Sequence, residues 1–495
     1  MRLIVFLFCT GIIVLISADY IQYFSNKNNN DSKKVSTLGA RLYMKGLNFF
    51  SQIGHKIVTR ELPRLTIPNI SLPIEGGPGN GNVEVESLKL LKFESPKFQF
   101  MLAPNKGITW NSRGGVLRLK GLWKADYTFL AKVYLNGEVD VTASDIQSML
   151  TVGAYSYDKH PQIQIYNCTA DVTNLHMTLS GNIITWIINL FRANLASAIK
   201  TAIHKQFCDL TRSILLAEAN DALMGLETHV EITNNIFLDY GLIDNPTITK
   251  SYIEGDALID VTIGNRTCDL PFVPVKLDAP VASKYMSNIW LSQTVVDCIL
   301  DSAHQSKMFK FTIDKNLQKS LAGFLRTSCH VYEICMGRFF QKLRDTYPKK
   351  YLDLVFESST TPNCEMSADN ITVNTAFYID FKIYPSSKNP DVLARLQMNA
   401  SSYVDPHIFN NRIVGELNST TVTFEQLSSK IGNFNPAFLK ALELILKPII
   451  TVAADTALRV GIPIPLIENV TLSNTTTLVK QNKQIRVDAD LLYVN

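Results

Sequence analysis

Charge is scarce in this chain of 495 residues, and what there is nearly cancels. Charged residues make up 19%, below the roughly 25% of an ordinary soluble domain. Forty-eight Lys and Arg against 44 Asp and Glu leave a formal +4, too little to imply a nucleic-acid partner or a strong steering field. Catalytic signatures are missing as well. There is no Gly-x-Ser-x-Gly elbow, no His-Glu-x-x-His and no Ser-x-x-Lys backed by companion motifs, and the eight histidines are scattered. Asp488-Ala-Asp490 and the acids of the alternating stretches read as the polar side of half-buried strands, not as an acid–base pair. Cys329-His330 with Cys335 has no second ligand pair and no Cys-x-x-Cys beside it, so no metal and no cofactor is expected. The chain is expected not to be an enzyme. Past its first residues it also lacks any apolar run of the roughly 20 residues that a spanning helix needs.

What it has instead is apolar content, 46% of residues, and enough length for at least two domains. Met1–Ala18 carries Arg2, an apolar run from Leu3 to Ile16 and small residues before Asp19, the pattern of a secretory signal. Nine Asn-x-Ser/Thr sequons, at Asn30, Asn69, Asn167, Asn265, Asn370, Asn399, Asn418, Asn469 and Asn474, are candidate glycan sites and support a secreted, extracellular location. With Cys9 removed, seven cysteines remain, so at least one is unpaired within the chain, and spacing alone does not pair the others.

Residues 19–36 form a polar tail with nothing to bury. From Leu38 to Leu62 the apolar residues Leu42, Phe49, Ile53 and Ile57 recur near helical spacing, which predicts an amphipathic helix. The chain then turns extended and meets the Gly-rich stretch Glu75–Asn82, read as a hairpin tip because no helix or Gly-Lys-Ser/Thr follows it. Alternation in Val83–Glu86, Phe98–Phe100, Val116–Lys120 and Glu138–Val141 predicts strands. Gly181–Phe207 reads as a long helix with a broad apolar face. The layout then repeats: a proline-containing stretch, a helix through Trp290, Val295 and Ile299, strands, and a second broad helix over Asn435–Val460. Just past each broad helix, Leu242–Thr249 matches Leu466–Ser473 at an offset of 224 residues, pointing to two copies of one α+β module.

That order, together with Lys45-Gly-Leu47, Gly121-Leu-Trp-Lys-Ala125, Arg412-Ile-Val-Gly-Glu-Leu417, Pro271-Phe-Val-Pro274 and Gly461-Ile-Pro-Ile-Pro465, resembles the lipid-binding serum glycoproteins. This is the family of bactericidal permeability-increasing protein, lipopolysaccharide-binding protein and the phospholipid and cholesteryl-ester transfer proteins. The resemblance covers roughly residues 37–495. It implies an α+β boomerang of two pseudo-repeated barrel-like modules, each a twisted antiparallel sheet wrapped around a long helix, joined by a central sheet. The expected division is an N-terminal module over 37–261, a linker over 262–281 and a C-terminal module over 282–495. It further implies a disulfide between Cys168 and Cys208 and an apolar acyl pocket in each module.

Each buried methylene contributes about 0.8 kcal/mol, so such a pocket can hold an acyl chain without one specific polar contact. The residues expected to line it are Leu42, Phe49, Ile53, Ile184, Ile187, Ile188, Phe191 and Leu195 in the first module. In the second they are Val295, Ile299, Leu442, Ile445, Leu446 and Ile449. The expected partners are phospholipid-like or other acyl lipids, with transient contact to membrane or lipoprotein surfaces. The function implied is a secreted lipid-binding or lipid-transfer protein. The alternative is an innate-defence protein that binds microbial envelope glycolipid; a third is a structural glycoprotein whose pockets are filled by its own side chains. Against the second stands a departure from the antibacterial members. Their first-module tip clusters Lys and Arg, whereas here the loops carry Glu75 with glycines, then Lys120 and Lys124 beside Asp126, few cations interrupted by acids. The run from Lys342 to Lys350 reads as a solvated basic face.

Overall fold

The computed structural model describes residues 35–61, 67–104, 106–233, 235–277, 283–317 and 319–494. The expected signal segment, most of the polar tail and the Asn30 sequon lie outside these residues, as do positions 278–281 of the linker. The described chain is an α+β structure of three large antiparallel sheets, two of them curled around long helices.

Strand β1 (Leu38–Tyr43) leads directly into helix α1 (Met44–Glu61). The helix expected from Leu38 therefore starts at Met44, and Leu42 belongs to a strand. Pairing on both edges explains the difference. β1 runs antiparallel to β11 (Tyr252–Ile263) on one side and to β13 (Ser287–Ser292) on the other, so ladder hydrogen bonds outweigh local helical periodicity.

The first curled sheet has the order β2 (Ile70–Ile74), β3 (Asn80–Glu94), β5 (Gly107–Thr128), β6 (Lys132–Tyr157) and β7 (His160–Asn182), with β4 (Lys97–Ala103) also on β5. The Gly-rich stretch connects the hairpin of β2 and β3. Strands of 22, 26 and 23 residues accumulate right-handed twist, so β5, β6 and β7 coil instead of lying flat. Gly137 faces Gly181 across β6 and β7, and a Cβ on Gly137 would lie 1.6 Å from the Ser180 carbonyl oxygen. Only glycine permits that approach.

Helix α2 (Thr185–Ile214) fills the coil. Its buried line, Ile187, Phe191, Leu195, Ile199 and Ile203, recurs every fourth residue. At 3.6 residues per turn each such step overshoots a full turn by about 40°, so the line winds around the helix as the sheet winds around it. It packs on Val83, Val85, Leu119, Trp123, Val139 and Val141 in one cluster. A Cys168–Cys208 disulfide ties β7 to α2.

The second half repeats the plan. Helix α3 (Gln293–Gln305) is capped by Ser292, whose side chain accepts from the Thr294 amide. That cap ends the preceding strand, and Trp290, expected on the helix, lies buried in β13. The second curled sheet has the order β14 (Lys310–Ile313), β15 (Leu352–Ser358), β17 (Ile371–Ile383), β18 (Ala394–Phe409), β19 (Arg412–Ser429) and β20 (Ile462–Pro463), with β16 (Asn363–Met366) on β17. Helix α7 (Pro436–Leu458), capped by Asn435, packs inside it. Three short helices, α4 (Lys319–Phe324), α5 (Met336–Phe339) and α6 (Gln341–Thr346), add Phe324 and Phe340 to a core that also holds Phe356, Phe381, Phe434 and Phe438.

The third sheet takes strands from both halves: β22 (Thr477–Gln481), β23 (Gln484–Ala489), β13, β1, β11, β9 (Ile236–Leu242) and β8 (His229–Thr233). Short strands β10 (Thr247–Ile248) and β12 (Arg266–Thr267) add to β11. Arg41 on β1 pairs with Glu254 and lies 4.5 Å from the Tyr252 ring centroid and 5.2 Å from that of Trp290, so one side chain contacts both halves. The internal match has a structural counterpart. Thr247 and Ile248 form β10, and their equivalents Thr471 and Leu472 fall in β21 (Val470–Leu472), which pairs with β24 (Leu491–Tyr493).

Two more disulfides, Cys268–Cys298 and Cys329–Cys335, leave Cys364 as the one free cysteine among the described residues. Cys329 and Cys335 are therefore bonded to each other. All eight described sequon asparagines are exposed. Among the described residues no helix is long and apolar enough to cross a membrane.

Two measurements test this architecture. Replacing Cys168 and Cys208 by Ser should cost about 3–4 kcal/mol in denaturant unfolding, the chain-entropy value for a loop of this size. Burial, reinforced by the Asp297 and Glu365 charges, pushes the Cys364 thiol up to about 12. The peptide carrying Cys364 should therefore resist alkylation at pH 8 in the native protein and react once it is unfolded, as read by mass spectrometry.

Candidate functional site

The residues expected to line one pocket per module fall into three separate cores. Ile187, Ile188, Phe191 and Leu195 sit in the first curled sheet with Ile184 packed beside them, and Phe191 is 0% exposed against Trp123, ring centroids 6.1 Å apart. Phe49, Val295 and Ile299 join the central cluster. Leu442 and Leu446 are buried in the phenylalanine-rich core of the second half, with Ile445 and Ile449 packed on its edge. Leu42 is half-buried at the end of β1, and Ile53 is half-buried on α1. The interior around Phe191 is solid core.

A narrow seam lies further along the same helix. Between the last turns of α2 and the sheet, Ile203, His204 and Phe207 face Phe93, Pro96, Leu117, Ile146, Ala170 and Val172. Eight of these nine lining residues are apolar. The ninth, His204, turns its Nδ1 to the Ala170 backbone, 2.6 Å from the carbonyl oxygen, so it seals the edge strand and leaves the seam dry. The cavity volume is about 20 Å³, room for about one water molecule. A longer apolar guest enters only by displacing Phe93 and Phe207.

An aromatic cluster adjoins the seam on the same strands. Trp110, Leu150 and Val152 are buried together, with Phe98, Phe100, Ile163, Ile165 and Cys168 packed against them. Phe98 meets Trp110 edge-on at 4.9 Å, Phe100 stacks on it at 5.4 Å, and His55 of α1 meets Phe98 at 5.0 Å. Gly54 leaves a Cβ position 3.9 Å from the Trp110 ring. Helix α1 thus covers this cluster through Gly54 and His55. A larger groove of about 800 Å³ follows Lys97–Gln99, Asn111–Arg113, Gln147–Met149 and Thr169–Asp171, but it is open and carries charges of both signs, so it does not suit a hydrocarbon tail.

The missed residues left a signal. Ile203 and Phe207 continue the four-residue line of α2 beyond Leu195, and Cys208 marks where that line is tied to β7. Phe98, Phe100 and Trp110 gave none, because their meeting depends on the register of β4 against β5.

At the far end of this sheet the β5–β6 hairpin projects Phe129 and Leu130, the latter 91% exposed, beside Trp186 at the start of α2. The cations near it are neutralised across strands. Lys124 is held by Glu84 at 2.8 Å and Glu86 at 2.7 Å, which keep its ammonium above its ordinary range. Lys120 meets Glu138 at 2.9 Å, Arg118 meets Asp140 at 2.7 Å, and Lys132 meets Asp126 at 3.5 Å. Such exposed pairs contribute little to stability, but they leave no free cationic field for an anion. Among the described residues no group of three His, Cys, Asp or Glu could hold a metal.

Comparison with known proteins adds three findings. Residues 46–217 match the model of the LBP / BPI / CETP family, N-terminal domain, and residues 230–493 match that of its C-terminal domain. The bactericidal permeability-increasing protein of Rattus norvegicus is 23% identical over 459 residues, covering 91% of this chain and 92% of the relative. The lipopolysaccharide-binding protein of Homo sapiens is 25% identical over 448 residues, covering 88% and 89%. A crystal structure of lipopolysaccharide binding protein superposes with TM-score 0.60 at 20% identity, covering 93% of this chain and all of that one, which supports the same fold.

The division between core and seam is testable. Phe191→Ala should cost about 3–5 kcal/mol in chemical denaturation because it empties a closed interior. Lipid content per folded molecule, read by extraction, should stay at the wild-type value.

Proposed function

The chain belongs to the LBP / BPI / CETP family, a family of lipid-binding proteins and not of catalysts, and from that premise we propose that it is an exported carrier of phospholipid-like lipid. Residues 37–261 and 282–495 serve as its two modules, and the acyl chains enter the seam between α2 and the first curled sheet. The single observation that carries this reading is the apolar lining of that seam, whose side chains offer a tail burial and nothing polar but a histidine already engaged by the backbone. Binding then follows from area, with the head group left at the mouth. The free energy for moving lipid comes from the difference in lipid activity between donor and acceptor. The eight exposed sequon asparagines and the disulfides suit a glycosylated, extracellular protein.

The neutralised cations near Phe129 and Leu130 favour neutral or zwitterionic head groups at that end. A second reading, recognition of microbial envelope glycolipid in innate defence, draws on relatives named for lipopolysaccharide binding and bactericidal action. The two readings separate on salt. An anionic glycolipid held by charge should dissociate steeply as ionic strength rises, whereas a tail held by burial should not.

Native mass spectrometry and organic extraction of the secreted protein, purified without detergent, should find one or two acyl lipids per chain. Ala170→Phe, which fills the seam, should remove one of them while the protein stays folded. A folded wild type that is empty, and remains empty after incubation with phosphatidylcholine vesicles, would sink the carrier reading.

A further inference from the structure

The basic run near Lys342 belongs to a larger feature that the carrier role does not use. Cys329 and Cys335 close a seven-residue loop between α4 and α5, in which residues 330–334 are exposed. Val331 is 77% exposed, Tyr332 97% and Ile334 64%, three large apolar groups on one small projection. The loop is held rigid. Its backbone closes on itself through the Glu333 amide to the His330 carbonyl, Arg338 donates to the Val331 carbonyl at 2.7 Å, and Arg326 meets Glu333 at 3.3 Å. At its foot the Thr327 amide donates to the Lys350 carbonyl, the Lys350 amide to the Thr327 hydroxyl, and the Lys349 amide to the Ser328 hydroxyl. Those bonds set Lys349 and Lys350 beside the base of the apolar projection, and both side chains are exposed.

Positive charge is in excess around the loop. Residues 326–350 hold six Lys and Arg against two Asp and Glu, a local excess of +4 equal to that of the whole chain. Both acids are already matched, Glu333 by Arg326 and Asp345 by Arg344. Among the described residues no carboxylate lies within ion-pair distance of Lys342, Lys349 or Lys350. Helices α4 to α6 cap the end of the second sheet where α7 begins, since Phe340 packs on Phe434 and Phe438, while the other end of α7 reaches the central cluster through Leu458. The loop therefore stands at the end of that module remote from the central sheet.

We propose that this loop docks the protein on anionic lipid surfaces, with Val331, Tyr332 and Ile334 entering the head-group region and the lysines at its foot meeting lipid phosphates. An apolar tip above a cationic collar matches a bilayer interface, where a tyrosine ring sits at head-group depth and each nearby lysine gains from the surface potential. The disulfide removes most of the ordering cost of insertion. Three projecting residues are too small a surface for a stable protein complex, which takes about 800 Å² per partner. The proposal stands apart from the carrier reading, because docking uses no part of the seam.

The test is flotation of the full-length secreted protein with phosphatidylcholine vesicles, and with phosphatidylcholine and phosphatidylglycerol at about 3:1, in about 0.1 M salt. Wild type should bind the mixed vesicles about tenfold more tightly than the neutral ones. Lys349→Glu with Lys350→Glu should abolish that preference, and Val331→Ser, Tyr332→Ser and Ile334→Ser together should weaken binding to the mixed vesicles about tenfold. Both variants should melt as the wild type does, since the changed side chains are exposed. Ala170→Phe should dock normally whatever its lipid content, so the failure of one idea is read separately from the other. Equal binding to both vesicles, binding to neither, or a serine variant that floats like the wild type overturns the proposal. So does capture of an acidic protein by the lysines in the absence of vesicle binding.

Discussion

Fitting a helix inside a coiled sheet is the constraint from which the rest of this structure follows. Strands of more than 20 residues cannot stay flat, and once β5, β6 and β7 coil, only an apolar line that winds with them fills the space. Helix α2 supplies it by placing Ile187, Phe191, Leu195, Ile199 and Ile203 four residues apart. The Cys168–Cys208 bridge fixes the axial position of that line against β7, and the facing glycines 137 and 181 let the coil tighten at one end. Where the fit is complete, around Phe191, the interior is a closed core. Where it loosens, at Ile203 and Phe207, it leaves a dry seam. Core and candidate site are thus two lengths of one interface.

The two halves answer that constraint differently. The second module fills its coil with phenylalanines, Phe356, Phe381, Phe434 and Phe438 among them, and the short helices α4 to α6 plug one end with Phe324 and Phe340. Its volume is taken up by rings, with half-buried Ile445 and Ile449 of α7 along one edge. The first module has an aliphatic line on its helix and keeps its aromatic side chains, Trp110, Phe98 and Phe100, beside the seam and under α1. The central sheet joins them rigidly, because β1 is bonded on both edges and Arg41 touches both halves.

Much of this was legible in the sequence. The α+β class, the two long helices and the duplicated order follow from periodicity and from the match of Leu242–Thr249 with Leu466–Ser473, whose cores become β10 and β21. Element boundaries were less legible. Leu42 and Trp290 have helical spacing, but each lies in a strand of the central sheet, where pairing between β1 and strands distant in sequence, Leu42 with Ile253 and Gly39 with Trp290, outweighs local pattern. The pocket residues were legible only as apolar. Periodicity identifies a buried face but not whether its partner is in van der Waals contact or a few ångströms short of it, and that difference alone separates Phe191 from Phe207.

The central claim is that lipid tails lie along α2 at Ile203 and Phe207, and it is tested most directly by where a bound tail can be trapped. The secreted protein would be loaded with a phosphatidylcholine whose acyl chain carries a photoactivatable diazirine, irradiated, digested and mapped by mass spectrometry. Adducts are expected on the segments around Phe93, Ala170 and Ile203–Phe207. Adducts confined to the second module, or to the closed stretch from Ile187 to Leu195, would contradict it.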